Sequence, residues 1–268
     1  MELNSIAVIE RQFNTGELPV LVNCSDGKAY ICKYMRSSAS AFKLLNELIG
    51  AMLIEEWSIL SPDFSFVNIQ SEHWTNIFTP HSLSAPAFGY QQIDDVIDIT
   101  PSTYIAVRPS MNSLIQLLKI ALFDFWIANE DRTINNSNLL FRPNDGKLIS
   151  IDYGGILNTG SYDSPMSQLT VSDSILYADI FGHISKATDS SEILDKANGL
   201  FAYYNDCIKR SLEKEQVILE CIPPEWNIHK DIVSEKLEQI YEQDWTEQVW
   251  MNFIECIKEV LNDEQLKV

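Results

Sequence analysis

The sequence predicts an α+β fold in two lobes, with a small β-rich N-terminal part and a larger helical C-terminal part. Short β-prone runs at residues 20–22 and 29–34 flank a Ser-Asp-Gly turn, a pattern typical of a hairpin. Much of the second half instead has apolar residues at the three- and four-residue spacing of helices. A chain of 268 residues suits one domain in two lobes, which we place at residues 1–92 and 93–268.

The composition is that of a globular protein with a large excess of acidic residues. The chain is 46% hydrophobic, and 38 acidic against 19 basic residues give a net charge of −19. Nucleic acid and anionic membranes are therefore not expected as partners, because phosphate binding favours a basic surface. The acidic excess is interpreted as a means of solubility or, alternatively, as a preference for a basic protein partner.

The cysteines and the N-terminal sequence favour a cytoplasmic location. Five cysteines occur without a CxxC pair, so neither a disulfide framework nor a zinc site is indicated. Reduced thiols are typical of the cytoplasm. The first residues lack the basic and apolar regions of a signal peptide. No apolar run approaches the roughly 18 residues of a membrane-spanning helix.

A strand with a lysine precedes the first clear helix, predicted at residues 39–57. In strict alternation Lys33 shares a strand face with Ile31, so it lies either at a sheet edge or in a cleft. The pattern alone favours the edge, where the lysine head stays in water. Glu47 lies in the middle of the helix and would ordinarily be solvated. Because it follows the Lys33 strand directly, it could also form an ion pair with Lys33.

The stretch of residues 121–155 holds the acidic residues on which a functional prediction depends. The helix predicted at residues 114–128 is apolar on nearly all sides, which indicates burial, and it leads into Asp131 and Asn136. Two predicted strands joined by an Asn-Asp-Gly turn then bring the chain to Asp152. Asp131 and Asp152 are therefore expected at the same end of one hairpin.

The combination of Asp131, Asn136 and Asp152 fits phosphoryl transfer to a hydroxyl group. Such transfer requires a carboxylate near the attacking oxygen and oxygen ligands for magnesium. Each of these residues could instead cap a helix or shape a turn, roles that Asp and Asn favour. Their occurrence in this order, downstream of Lys33 and Glu47, favours the functional interpretation over a chance arrangement.

The remaining segments are assigned from their prolines and from the spacing of their apolar residues. Residues 58–110 are rich in proline and predict irregular strands, with residues 88–92 as a candidate crossing between the lobes. Residues 159–171 are polar and could form a loop over the site. The segments in which helical spacing follows are residues 173–185, 190–213, 230–242 and 246–262.

One family shares the order of the candidate site residues. Lys33 in a strand, Glu47 in the next helix, and then Asp131, Asn136 and Asp152-Tyr153-Gly154 follow the spacing of a protein-kinase-like site. The sequence around Asp131 and Asp152 most resembles that of the HipA-like kinases. The resemblance covers roughly residues 14–226.

The resemblance implies a two-lobed kinase fold that binds ATP and magnesium between its lobes. Lys33 would hold the α- and β-phosphates, and Glu47 would orient Lys33. Asp131 would accept the proton of the substrate hydroxyl, whereas Asn136 and Asp152 would bind magnesium.

The nucleotide contacts implied by the family are less sharply defined. Residues 88–92 would form the hinge that meets adenine, with Phe88 and Tyr90 as the candidate contacts. Gly16 would lie in the nucleotide loop, which lacks the further glycines of a Gly-x-Gly-x-x-Gly motif. The sequence also lacks the His-Arg-Asp order of protein kinases, since Arg132 follows Asp131 instead.

The resemblance implies a kinase that acts on serine or threonine of a protein, including itself. Ser161 and Ser164 are candidates for autophosphorylation by position alone. The expected partner is a protein substrate, and an antitoxin-like protein is a further candidate. A small-molecule kinase of the same fold and a nucleotide-binding, pseudokinase-like interaction module are the alternatives.

Overall fold

A computed structural model of the chain describes residues 2–37, 40–74 and 84–266, without the side chains of 263–266. The N-terminal lobe contains six strands: β1 (Glu2–Asn4), β2 (Arg11–Gln12), β3 (Val20–Asn23), β4 (Ala29–Lys33), β5 (Phe64–Asn68) and β6 (Ala87–Gln91). They form one sheet in the order β1-β5-β6-β4-β3-β2. β1 and β5 are parallel, and the other neighbours are antiparallel. The predicted β3–β4 hairpin is confirmed.

Helix α1 (Ser40–Glu56) lies between β4 and β5 in the chain and confirms the predicted helix. The first residue of that prediction, residue 39, lies outside the described residues. The segment has no proline and is rich in leucine and alanine, which favour helix. Most of its residues are buried because α1 packs against the sheet on one side and the helical lobe on the other.

The predicted buried helix and hairpin are also present at the start of the C-terminal lobe. Helix α2 (Met111–Trp126) begins at Ser110, whose hydroxyl accepts the N–H of Ser113 at 3.1 Å. Strands β7 (Ile97–Asp98), β8 (Leu139–Arg142) and β9 (Lys147–Ser150) form a second sheet. Gly146 closes the β8–β9 turn with φ +68°, a conformation that suits glycine.

The rest of the C-terminal lobe is helical. Its helices are α3 (Ile156–Gly160), α4 (Asp179–Ser185), α5 (Ser190–Asn198), α6 (Phe201–Leu212), α7 (Glu215–Cys221), α8 (Lys230–Tyr241) and α9 (Gln243–Leu266). The helical pattern at residues 190–213 corresponds to two helices, because α5 ends at Asn198, with Gly199 as its cap, before α6 begins. These observations confirm the predicted α+β class.

The two lobes share one large hydrophobic core, and a smaller cluster covers the other face of the six-stranded sheet. Trp226 connects the lobes directly. Its indole Nε1 donates to the carbonyl oxygen of Pro86 at 2.8 Å, and its ring packs edge-on against Phe66. The late Ile-Pro-Pro-Glu-Trp segment therefore holds the helical lobe against the sheet.

The cysteines and the helices bear on the location of the protein. All five cysteines lie in the described part of the chain and are free thiols. Within residues 2–37, 40–74 and 84–266, no helix has both the length and the apolar character needed to span a membrane. The cytoplasmic location stays a prediction.

Candidate active site

Lys33 lies at the centre of a three-member ion-pair chain. Its Nζ donates to Glu47 Oε1 at 2.5 Å and to Asp152 Oδ1 at 2.7 Å. The preference of the sequence pattern for an edge position is wrong, because β4 lies between β3 and β6 inside the sheet. The lysine instead points into the cleft between α1 and the segment that follows β9.

Glu47 is fully buried on α1 and joins the lysine to the backbone next to Asp152. Its Oε2 accepts the N–H of Tyr153 at 3.0 Å, while its Oε1 accepts from Lys33. Burial raises the pKa of Glu47 to about 7, and the charge of Lys33 opposes this rise. The Lys33–Glu47 ion pair is therefore sensitive to pH close to neutrality.

Asp152 is held in an uncommon backbone conformation. Its φ of +61° lies in the left-handed region, which disfavours residues with a side chain. Burial alone would raise its pKa, but the nearby Lys33 ammonium lowers the pKa of Asp152 below the usual value. The Gly154 N–H lies 3.4 Å from Oδ1. The carboxylate is thus kept ionised, as binding of a cation or a lysine requires.

The segment around Asp152 lies tightly against α1. A Cβ at Gly50 would be 2.4 Å from the Tyr153 Cβ, so glycine is required for this approach. Asn46 Nδ2 donates to the carbonyl oxygens of Gly154 and Ile156 at 3.0 Å each. Asn46 is a site residue to which the sequence analysis gave no role, although a polar residue beside Glu47 in an apolar helix is the signal that marks it.

Asp131 is oriented by two amides and lies against the segment that contains Asp152. Asn136 Nδ2 donates to its Oδ1 at 3.1 Å, and Asn138 Nδ2 donates to its Oδ2 at 3.3 Å. A Cβ at Gly155 would be 2.6 Å from the Asp131 Cβ. Burial, together with the charge of Asp152, raises the pKa of Asp131. A carboxylate with a raised pKa is better matched to accepting a proton near neutral pH.

The side chain of Arg132 holds this loop in place from the protein interior. It is fully buried, and its Nε donates to Asp124 Oδ2 at 2.7 Å, while Asn129 Nδ2 donates to Asp124 Oδ1 at 2.8 Å. Its other N–H groups donate to the carbonyl oxygens of Ser137, Asn138 and Ile151 and to the hydroxyl of Ser150. This network was not predicted from the sequence, although Asp124 in an otherwise apolar helix is a signal for it.

A protein-family model for HipA-like kinases matches residues 6–248, which is most of the chain. The chain belongs to the HipA-like kinases. The resemblance seen in the sequence is thereby confirmed, and the protein is a kinase by family. A search of curated proteins returns no match.

Solved structures support the fold of this HipA-like kinase. It is similar to the crystal structure of a Helicobacter pylori proinflammatory kinase, CtkA, at 12% identity and a TM-score of 0.55. That alignment covers 97% of this chain and 99% of CtkA. The open conformation of CtTel1 aligns at 11% identity and a TM-score of 0.33, over 94% of this chain and 11% of CtTel1, which is too distant to support an argument.

The residues expected to bind magnesium supply suitable donors. Asn136 directs its amide nitrogen to Asp131, which leaves its carbonyl oxygen for a cation, and Asp152 supplies a carboxylate. No group of three or more His, Cys, Asp or Glu side chains among the described residues could hold a metal. This donor set fits magnesium, which is commonly bound by one or two carboxylates together with nucleotide phosphates.

The two hinge candidates lie in β6, so the connection to the second sheet starts at Gln92, the last residue of the predicted crossing. Phe88 is fully buried, its ring packs against Phe64 and Tyr90, and β6, in which it lies, is paired with β4 and β5 on its two sides. The phenol of Tyr90 is buried near Glu47 and Asp152, and burial raises its pKa. Adenine contact by these two residues stays a prediction.

Gly16 lies in an exposed turn in which the Leu18 N–H donates to the Thr15 carbonyl oxygen. The turn is tied to the lobe by Arg36, which donates to the Gly16 carbonyl oxygen, and by a Glu17–Lys43 ion pair. Among the described residues, no hydrogen bond or ion pair joins Gly16 to Lys33 or Asp152. Its part in nucleotide binding stays a prediction.

Proposed function

We propose that this HipA-like kinase transfers the γ-phosphate of ATP, with magnesium, to a serine or threonine hydroxyl of a protein. The observation that carries the proposal is the continuous contact chain Glu47–Lys33–Asp152, with Asp131 packed against the same segment. A phosphate-binding cation, a metal-binding carboxylate and a proton acceptor are thus assembled in one cleft, as phosphoryl transfer requires.

Lys33 is suited to hold phosphate oxygens. An ammonium group has three N–H donors, and two of them are directed at Glu47 and Asp152. The third would donate to the α- or β-phosphate, while the ion pair with Glu47 would hold the lysine beside Asp152. Magnesium, when bound, would neutralise phosphate charge, and Asn136 and Asp152 would hold it.

Asp131 is suited to accept the proton of the attacking hydroxyl. Its two oxygens are fixed by Asn136 and Asn138, so the carboxylate is oriented before a substrate binds. Its raised pKa brings proton affinity closer to the working pH. The protein nature of the acceptor is supported by the family and is open to direct test.

The decisive experiment compares Asp131→Asn with the wild type. Transfer of ³²P from ATP to a panel of serine and threonine peptides and to the protein itself should fall by about 10²- to 10⁴-fold, because the proton acceptor is lost. Binding of ATP with magnesium should persist. Asp145→Asn, which changes an exposed carboxylate paired with Arg142 in the β8–β9 turn, is the matched control and should transfer normally.

Other outcomes select the alternatives. Nucleotide binding without transfer to any acceptor would identify a pseudokinase-like module. Transfer to small hydroxyl compounds but not to peptides would identify a small-molecule kinase. Mass spectrometry of the wild type after incubation with ATP tests autophosphorylation at Ser161 and Ser164.

A further inference from the structure

A groove separate from the ATP cleft lies between the segment of residues 162–166 and helix α8. It has a volume of about 670 Å³. One wall is the segment after α3, and the other is a stripe of α8 at helical spacing that continues to the start of α9. The residues that line it are Tyr162, Asp163, Ser164, Pro165, Met166, Ile232, Glu235, Gln239, Glu242 and Trp245.

The groove has an apolar and aromatic floor. The hydroxyl of Tyr162 donates inward to Asn46 Oδ1 at 2.7 Å, and the indole of Trp245 donates inward to the Trp126 carbonyl oxygen at 2.9 Å. Both aromatic residues therefore satisfy their polar atoms in the protein interior and line the groove with their rings. Ile232 is 39% exposed. Contact of this apolar side chain with water is unfavourable, so covering it with another surface would be favourable.

All the charged side chains that line the groove are acidic. Asp163, Glu235 and Glu242 are exposed, and none takes part in an ion pair within the described part of the chain. Lys236 is the adjacent cation, but its Nζ is buried beneath the segment, where it donates to the carbonyl oxygens of Ser161 and Ser164. The charge of Lys236 partly offsets that of Asp163, whereas Glu235 and Glu242 have no ion-pair partner in the described part of the chain. Aromatic rings beside such carboxylates suit lysine and arginine side chains.

The groove wall is tied to the loop that contains Asp131. Asn158 Nδ2 donates to Glu130 Oε1 at 2.8 Å and to Ser167 Oγ at 2.8 Å. These two hydrogen bonds connect both ends of the segment to Glu130, the residue that precedes Asp131. Because Tyr162 is four residues from Asn158, their Cα atoms are at most about 14 Å apart. An extended peptide covers that distance in about four residues.

We propose that this groove binds a basic segment of the protein substrate, with lysine or arginine beside an apolar residue, a few residues from the phosphorylated hydroxyl. The proposal rests on the proposed function and defines its substrate class. A second copy of this chain is disfavoured as occupant because its net charge of −19 would repel the acidic rim.

The test uses two serine peptides that are identical except that one carries arginines four to six residues from the serine and the other carries glutamines there. The wild type should phosphorylate the basic peptide with a kcat/KM about tenfold higher, mainly through KM, and added salt should reduce this preference. The Glu235→Lys/Glu242→Lys variant should lose the preference while transferring to the glutamine peptide as before.

A matched control removes the effect of overall charge. Glu238→Lys/Glu259→Lys changes the net charge equally on exposed positions that do not line the groove, and it should keep the preference. An equal response of the two double variants, or no wild-type preference between the peptides, would overturn the proposal.

The two proposals fail in different ways. Binding of a fluorescent basic peptide, measured by anisotropy, needs no phosphate transfer. If the wild type binds this peptide and the groove variant does not, but no peptide is phosphorylated, the groove stands and the proposed kinase reaction fails. If peptides are phosphorylated without regard to charge, the reaction stands and the groove proposal fails.

Discussion

At the scale of single residues, Glu47 connects Lys33 to the segment that contains Asp152. It is fully buried, yet it carries one half of the ion pair that positions Lys33 and also holds the Tyr153 backbone. A buried carboxylate keeps its charge only while its partners outweigh the loss of hydration. A small change in pH therefore alters a contact that positions Lys33, which we propose binds phosphate.

We predict that phosphate transfer declines as the pH falls through about 7. Burial raises the pKa of Glu47 to about 7, so acidification adds a proton and breaks the ion pair with Lys33. The measurement is a pH profile of kcat/KM for ATP. Glu47→Gln, which has no titrating group, should be slow at every pH and should lack the inflection near 7.

The same group should affect stability in the opposite direction. Its pKa in the folded chain exceeds the ordinary value of 4.5, so its stabilising contribution is present below about 4.5 and is lost as the pH rises through about 7. Urea titrations of the wild type and Glu47→Gln between these limits measure the difference. An identical pH dependence of the two unfolding free energies would contradict the assignment.

At the scale of elements, the Asp131 loop and the end of β9 are joined by Arg132. This guanidinium pairs with Asp124 on α2 and binds backbone carbonyls of both segments. The arginine is therefore occupied inside the protein and is not available to bind a phosphate on another segment. We infer that the geometry of the site is fixed by folding.

We predict that Arg132→Lys lowers kcat with little effect on the KM for ATP. A lysine cannot reproduce the fork of hydrogen bonds, so the loop and Asp152 should lose their relative orientation. Each buried carbonyl oxygen left without its donor also costs about 1–3 kcal/mol of stability, which thermal and urea unfolding will measure. Arg142→Lys, at the exposed pair with Asp145 in the same hairpin, should change stability by less than about 1 kcal/mol.

At the scale of the whole molecule, the cleft is formed where two lobes with a shared core meet. Lys33 and Glu47 come from the N-terminal lobe, whereas Asp131 and Asp152 come from the C-terminal lobe. Trp226 connects these lobes through Pro86, and α1, which carries Glu47, connects them along one side of the cleft. A nucleotide held by both lobes should therefore stabilise the folded chain as a unit.

We predict that ATP with magnesium raises the melting temperature of the wild type. At a ligand concentration of 100 times Kd, linkage adds about 2.7 kcal/mol to the free energy of unfolding. Asp152→Asn should lose the part of the shift that depends on magnesium, because it removes the carboxylate that would bind the cation. A magnesium-dependent shift that is unchanged in Asp152→Asn would contradict this assignment.

The sequence by itself determined several of the local elements and indicated the candidate residues. Apolar spacing indicated α1 and α2, and the Asn-Asp-Gly turn indicated the β8–β9 hairpin, because these signals are local. The order of Lys33, Glu47, Asp131 and Asp152 was sufficient for the family, which the family match confirms.

Only the tertiary structure decided where these residues lie relative to one another. The pattern around Lys33 favoured an edge, since alternation along a strand does not show whether neighbours pair on both sides. Arg132 also reaches Ser150 and Ile151, and the groove beside α8 joins residues 162–166 to residues 232–245; local sequence patterns do not specify such contacts. Packing of the long-range core brings them together, and it is a property of the whole fold.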